Sequence, residues 1–188
     1  RRRSRRGGRW AAIERGARPA VTSPALPPAV AAYLDDQHVM TLATSGADGP
    51  WAAAVFYARR EHELLFMSSP QSRHCRDLSV NPCCAATVQA NERDWVKIKG
   101  VQLQGRVSTV DAADQAHALA HYAAKFPLVT SSATAPAVIA AAMAKVHWYR
   151  LHIERLFFID NSRGFGRREQ IDLDRSRQGR VPGDRVQG

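Results

Sequence analysis

Three short apolar runs in the first half of the chain are joined by links that allow only antiparallel pairing. Val39–Thr44 and Trp51–Ala58 flank a glycine-rich turn, and Glu63–Ser68 follows after the polar link Arg59–His62. A parallel crossover needs about a dozen residues or more, so consecutive runs must lie side by side in opposite directions. This feature predicts a sheet built from hairpins.

Three later segments extend this sheet. Cys83–Gln89, Trp95–Thr109 and His147–Asp160 have the composition and alternation of strands. In the longest run the apolar phase slips at Lys99-Gly100, which predicts a β-bulge that bends the strand around a barrel. About six strands with a few flanking helices predict an α+β fold, mainly antiparallel β, in the form of a six-stranded barrel.

Helical spacing and capping residues mark the segments between the strands. The predicted helices are a short one that follows Pro27-Pro28 and ends near Asp36, one capped by Ser69 with Pro70 as its first residue and stopped by Asn81-Pro82, one over Asp111–Phe126 capped by Asp111, and one over Ala135–Lys145.

The formal net charge of +10 lies at the two ends of the chain. Residues 1–18 hold eight Arg against one Glu, residues 163–188 hold seven Arg against four acids, and the stretch between them is neutral. We therefore expect a flexible basic arm (1–28), one domain (29–173) and a flexible tail (174–188). A basic surface for specific nucleic-acid recognition is not indicated, although the arm leaves open a polyanion-binding module.

The chain has no apolar run approaching the roughly 20 residues of a membrane-spanning helix. No signal-peptide core follows the N-terminal arginines. Three cysteines, Cys75, Cys83 and Cys84, lack the spacing of a zinc site, and the pair His117 and His121 lacks a third ligand. These observations predict a cytoplasmic protein with reduced thiols, no membrane partner and no metal.

The turn after the third run is the most informative group of polar residues. A helix N-terminus offers unpaired N–H groups and partial positive charge, and hydroxyls with a guanidinium suit a phosphate monoester. Lys97 and Lys99 share one face of their predicted strand and could reach such a phosphate. An ordinary capped helix start and a solvated lysine face are the alternatives. The residues of the turn are Ser68, Ser69, Ser72, Arg73 and His74.

Motifs of the common hydrolases, zinc proteases, nucleoside triphosphatases and dinucleotide-binding enzymes are absent from the sequence. If the protein is an enzyme, a cofactor must therefore supply the reactive group. The stretch Gly164–Arg168 has the spacing of a turn, with an anion nest as the alternative.

Several segments resemble the pyridoxamine 5'-phosphate oxidase-like FMN-binding split barrels, and in particular their YhbP-like branch. The resemblance covers about residues 29–173. It is carried by His38–Thr41, Ala54–Tyr57, Ser72–His74, Asn81-Pro82, Ile98–Gly105, Phe126-Pro127 and Phe158–Gly166.

The resemblance implies a homodimer with two FMN sites at the subunit interface. It places the phosphate on Ser72, Arg73 and His74, and the flavin ring on Ala54, Val55 and Phe56, with backbone groups near Phe66, Met67 and Ser68. Where the oxidases carry a flavin-contacting Gln, this chain has Trp95, and their C-terminal Arg and His pattern is missing, so the resemblance does not extend to vitamin B6 oxidation.

Together these observations predict an FMN-dependent oxidoreductase with a small-molecule redox substrate or NAD(P)H as its reaction partner. The alternative is a flavin or haem carrier without turnover, with His38, His74 or His147 as the axial ligand of a haem. The predicted cofactor-binding residues are Ala54, Val55, Phe56, Met67, Ser68, Ser72, Arg73, His74 and Lys97.

Overall fold

Seven antiparallel strands and three helices make up the residues that the computed structural model describes, which are 25–127 and 145–173. The strands are β1 (Val39–Gly46), β2 (Gly49–Arg60), β3 (Glu63–Ser68), β4 (Cys83–Gln89), β5 (Lys99–Thr109), β6 (His147–Asp160) and β7 (Arg168–Ile171). The helices are α1 (Pro28–Asp36), α2 (Arg73–Val80) and α3 (Gln115–Lys125).

The strand order is β3-β2-β1-β4-β5-β6-β7, and β3 also pairs with β6. That additional pairing closes β1 to β6 into a barrel, to which β7 is added along the last part of β6. All strand pairings in the sheet are antiparallel. Short turns join β1 to β2 and β2 to β3, which can only pair antiparallel, whereas α2 lies between β3 and β4, which are not neighbours in the sheet. The predicted α+β split barrel is confirmed.

The core lies inside the barrel, where alternate residues of each strand point. Met40, Leu42, Leu64 and Leu151 are fully buried there. Helix α1 closes one end by inserting Leu34. Burial of each such side chain contributes about 1.5–3 kcal/mol.

Helix α3 covers the outer face of β2 and β3. It packs Ala118 and Tyr122 on Ala58 and Leu65, and Arg60 secures its start by donating two hydrogen bonds to the Asp114 carboxylate. That carboxylate lies 2.7 Å and 3.0 Å from the guanidinium nitrogens.

The structure confirms the predicted limits of β3, β4 and β6 and the end of α1, and it corrects several others. The helix after β3 is capped by Ser72 rather than Ser69, because the Ser72 hydroxyl accepts from the Cys75 amide. Helix α3 begins at Gln115 because Asp111 to Asp114 form a turn, in which the Asp114 amide donates to the Asp111 carbonyl. The predicted helix over Ala135–Lys145 lies outside the described residues except for Lys145.

The predicted bulge at Lys99-Gly100 is wrong. Trp95–Lys97 is a turn of 3-10 helix, which accounts for the slip in apolar phase, and the register shift lies at Gln104/Gly105. There the two backbones approach so closely that a Cβ on Gly105 would lie 2.1 Å from the His152 carbonyl oxygen.

Two negative findings apply to residues 25–127 and 145–173. None of their helices is long and apolar enough to cross a bilayer. They contain no group of three His, Cys, Asp or Glu side chains placed to hold a metal ion, and His121 instead contacts the Arg59 carbonyl at 2.6 Å.

Candidate functional site

The corner between β3 and α2 is a compact hydrogen-bonded group. His74 Nε2 lies 2.7 Å from Ser68 Oγ and 3.1 Å from Ser72 Oγ, and the two hydroxyl oxygens are 3.3 Å apart. His74 is buried. The imidazole therefore lies behind the two serines and fixes their orientation, while Ser72 also caps the helix.

Arg73 leaves this corner in the direction of the β1–β2 hairpin. Its guanidinium lies 4.7 Å from the centre of the Trp51 ring, and Nη2 donates to the Asp48 carbonyl at 2.9 Å. Its Nε is buried and has no hydrogen-bond partner among the described residues, with the Asp77 carboxylate 4.0 Å away. The charge is thus held in place, and one of its donors is not used.

Asp77 supports Arg73 from the next turn of α2. It accepts a hydrogen bond of 3.0 Å from the Thr44 hydroxyl. It can approach β1 because Gly46 has no side chain, since a Cβ at that position would lie 2.1 Å from Asp77 Oδ1. The glycine of the hairpin thereby allows α2 to pack against the strand that leads to the candidate site.

Two backbone donors at the start of α2 are uncommitted. The Ser72 amide donates to the Ser69 carbonyl and the Cys75 amide to the Ser72 hydroxyl. The amides of Arg73 and His74, at the first two helical positions, have no acceptor within the part of the chain that the structure describes, as is usual for a first helical turn. Together with the positive charge of the Arg73 guanidinium they form a set suited to a phosphate monoester.

A flat surface of small side chains lies on the outer face of the sheet beside this corner. Ala54 is opposite Thr41, Thr41 opposite Thr87, and Thr87 opposite Gln102, so these residues form one row across four strands. Phe56 stands at the edge of this surface with 59% of its area exposed.

The other predicted ring contacts differ in accessibility. Val55 is buried and faces the barrel interior, so only its backbone borders the outer face. Met67 is partly buried against the cluster beneath α3. Arg73 lies over Trp51 and bonds to the Asp48 carbonyl, so the corner lies beside the first part of β2, three residues along the strand from Ala54.

Lys97 is separated from these residues. It lies in the 3-10 turn before β5, ion-paired with Asp94 at 3.3 Å. Ser68 pairs with the first residue of β6 and Lys99 with the last, Asp160, so the corner and Lys97 lie at opposite ends of a 14-residue strand. Lys99 also forms an ion pair, with Asp160 at 3.5 Å.

A family model described as pyridoxamine 5'-phosphate oxidase matches residues 26–160. The chain belongs to the pyridoxamine 5'-phosphate oxidase family. A UPF0306 protein of Photorhabdus laumondii is 30% identical over 138 residues, which cover 72% of this chain and 88% of that protein. The family resemblance predicted from the sequence is confirmed.

Solved structures agree on the fold of this family member. A heme-binding protein of Mycobacterium smegmatis has a TM-score of 0.59 and 22% identity, and the match covers 77% of this chain and 57% of that protein's chain. A FAD-binding protein of Mesorhizobium loti has a TM-score of 0.54 and 17% identity, and the match covers 72% of this chain and 95% of that protein's chain. At these identities the likeness shows the fold alone.

Sequence reasoning did not single out Cys75, which follows the corner and lines a groove of about 240 Å³ together with Tyr149. Burial alone would raise the pKa of its thiol, but hydrogen bonds with His74, Ser72 and other neighbours outweigh burial and lower it to about 7. At Cys84, by contrast, burial raises the pKa to about 12. The helix start beside a histidine was the signal available in the sequence.

A larger groove of about 480 Å³ crosses the outer face of the sheet next to Ala54. Its floor consists of small residues of β1 and β4, such as Thr41 and Ala85, and its far side carries Arg155 and Arg168. Strand β7, which contributes Arg168, was not predicted from the sequence because its four residues have only one buried side chain, that of Ile171.

Proposed function

We propose that this protein binds FMN and uses it as an oxidoreductase. The observation that carries the proposal is the position of the α2 corner, with its two free amides and the guanidinium of Arg73, beside an open surface of small side chains on β2 and β1. The charged, donor-rich corner suits the phosphate group of a flavin mononucleotide, and the flat surface of small side chains suits its planar ring.

The FMN phosphate would lie at the N-terminus of α2. The amides of Arg73 and His74 point out of the first helical turn, and Arg73 supplies a fixed positive charge beside them. The hydroxyls of Ser68 and Ser72 are already positioned by His74, so they would reach the phosphate without losing much side-chain freedom.

The isoalloxazine ring would lie on the outer face of β2. Ala54 presents only a methyl group there, which leaves room for a planar ring, and Phe56 borders the area with an exposed aromatic edge. Val55 would contribute backbone groups, and Met67 would contact the ring from the edge covered by α3.

The bound flavin would supply hydride or electron transfer between a small-molecule substrate or NAD(P)H and a second reactant. The chain's own residues would hold the phosphate, fix the ring face and exclude water from one side of it. A homodimer with two such sites at the interface completes the proposal, because the outer face carries exposed apolar groups, Phe56 and Val39 among them, which a second copy would cover.

The test is the absorbance spectrum of the purified protein after incubation with FMN and gel filtration. We expect flavin bands with one FMN per chain, and a large loss of bound FMN in Arg73→Gln. Arg76→Gln is the matched control, since Arg76 lies on the same helix but is exposed and bonds to the Gln71 carbonyl.

A protein that takes up no FMN would contradict the proposal. Uptake of haem, seen as a Soret band, would contradict the proposal as well. It would indicate a haem-binding role, as in the heme-binding protein of Mycobacterium smegmatis. We do not expect His74 to be the ligand of a haem, because its Nε2 atom is committed to two hydroxyl groups.

A further inference from the structure

The larger groove on the outer face of the sheet, here called the outer groove, begins beside the surface at Ala54 and runs to the far edge of the barrel. Its lining extends across five strands, from Thr41 on β1 to Arg168 on β7. Neighbouring strands lie about 4.8 Å apart, so the groove is about 19 Å long. Its volume of about 480 Å³ falls within the range of small-molecule sites, about 300–1,000 Å³.

Two rows of facing residues form the floor of the outer groove. In one row Thr41 is opposite Thr87, and Thr87 is opposite Gln102. In the other row, small side chains of β1 and β4 lead to Gln104, which is opposite Arg155 on β6. The middle of the groove is therefore uncharged, and it offers close contact and amide hydrogen bonds to an elongated occupant.

The far end of the outer groove carries two guanidinium groups, and the lining contains no carboxylate. Arg155 has no hydrogen-bond or ion-pair partner among residues 25–127 and 145–173. Arg168 is held by neutral groups, since Nη1 donates to Gln102 Oε1 at 3.1 Å and the guanidinium lies 5.2 Å from the centre of the Phe157 ring. Positive charges that line a cleft without a counter-ion attract anions. This end of the groove is thus suited to an anionic group.

The separation of the two ends determines the length of the occupant. Strands β6 and β7, which carry the arginines, lie three and four positions from β1 in the sheet, or about 14 Å and 19 Å along it. A small acid on the arginines would not reach the surface beside Ala54, and a small molecule beside Ala54 would not contact the arginines. One molecule uses both ends if it carries anionic groups far from an uncharged planar ring.

We propose that the outer groove binds a reduced pyridine dinucleotide, with phosphate groups on Arg155 and Arg168 and the nicotinamide ring directed toward Ala54. The proposal rests on the proposed function and names the reductant of that site. The hydride would leave C4 of the dihydronicotinamide with both electrons of its C–H bond. The dinucleotide is thereby oxidised by two electrons, and the FMN is reduced by the same two and takes up one proton from water.

The first test is calorimetric titration with NADP⁺, the oxidised dinucleotide, which binds without reacting. The double variant Arg155→Gln, Arg168→Gln should bind NADP⁺ about tenfold or more weakly, because charged hydrogen bonds to phosphate are lost. The matched control is Arg76→Gln, Arg106→Gln, which removes two charges outside the groove, one on α2 and one beside Cys83 on β5. An equal loss of affinity in both double variants would overturn the proposal, since it would show attraction by net charge alone.

The second test introduces a carboxylate into the floor of the groove. Ala85 is exposed in the middle of β4, so Ala85→Glu should fold as the wild type does, which circular dichroism verifies. The new charge would lie between the two ends and repel the phosphates, and NADP⁺ binding should fall at least as far as in the arginine variant. Full NADP⁺ affinity in Ala85→Glu would overturn the proposal.

Titration with NAD⁺ identifies which phosphate groups the arginines hold. Both dinucleotides contain the diphosphate, and only NADP⁺ has the 2'-phosphate. Equal losses for NAD⁺ and NADP⁺ in the arginine variant would assign the diphosphate to the arginines, and a loss confined to NADP⁺ would assign the 2'-phosphate to them. Either result supports the proposal.

FMN uptake by the same samples separates this proposal from the proposed function. A wild type that binds FMN but neither dinucleotide would overturn the proposal and leave the proposed function standing. A wild type that binds NADP⁺ through the two arginines but takes up no FMN would remove the proposed function and leave the groove as a nucleotide site.

Discussion

Gly105→Ala tests whether the close approach of β5 and β6 is as tight as the structure places it. The added Cβ would lie 2.1 Å from the His152 carbonyl oxygen and 3.0 Å from Leu151 Cδ2. Carbon-to-oxygen contacts rarely fall below about 3.3 Å, so one backbone must move by about 1 Å where the register shifts. Overpacking of this kind costs about 1–3 kcal/mol, against a gain of about 0.4–1 kcal/mol from a less flexible unfolded chain.

We expect a net loss of about 1–2 kcal/mol in the free energy of unfolding, because the obstacle is backbone and cannot rotate away. For a chain of this size that corresponds to a fall of about 2–8 °C in Tm, measured by circular dichroism on heating and by urea titration. Gly100→Ala on the same strand is the matched control, since its nearest neighbour, the Val88 carbonyl oxygen, is at an ordinary 3.4 Å. Equal stability of the two variants would refute the argument.

Three further predictions concern the corner and α3. Ser72→Ala removes the cap of α2 and should lower the free energy of unfolding by about 1 kcal/mol, and an unchanged urea midpoint would show that the cap contributes nothing. Burial opposes ionisation of Cys75, but hydrogen bonds, that with His74 foremost, lower its pKa to about 7. Its alkylation by iodoacetamide, followed by peptide mass spectrometry, should therefore level off about one pH unit above that value, and a rate still rising at about pH 9 would contradict this. The hydrogen bond from Arg60 lowers the pKa of Asp114, so the stability it provides is present above the unfolded pKa near 3.9 and is lost as pH falls through the folded value. The difference in unfolding free energy between wild type and Arg60→Gln should accordingly shrink between about pH 5 and pH 3, and a constant difference would exclude this pair as the cause.

Local patterns in the sequence were sufficient to predict most of the barrel. The limits of β3, β4 and β6 are those expected, because β4 and β6 alternate buried and exposed residues over most of their length and β3 is a short apolar run buried on both faces. The closing pair β3–β6 joins segments nearly 80 residues apart, and no local signal in the sequence identifies these two strands as partners. Strand β7 was missed because its only buried residue, Ile171, gives no alternation to detect.

The errors in the sequence-based predictions have physical causes that the sequence of a single strand does not reveal. The bulge was placed in β5, but the unpaired residue is in β6, where Gln104 is opposite Arg155 and Gly105 is opposite Ile153. The candidate phosphate turn was located correctly as a helix start, whereas the binding role of its residues stays a prediction. What the sequence did not show is that its histidine is buried behind the serines, since burial is a property of the whole fold.

The strand pairs that close the barrel extend along only part of the length of β2 and β6. Strand β6 pairs with β3 through its first six residues and then leaves it to pair with β7, while the first half of β2, Gly49–Phe56, pairs only with β1. Two backbone edges are thus exposed at one end, and Pro50 on β2 and the charged side chains of β7 hinder unwanted strand addition there. In amide hydrogen exchange this end should exchange first, and the paired residues of β2, β3 and β6 should exchange last. A ligand that enters between two copies would therefore contact the more deformable end of the barrel.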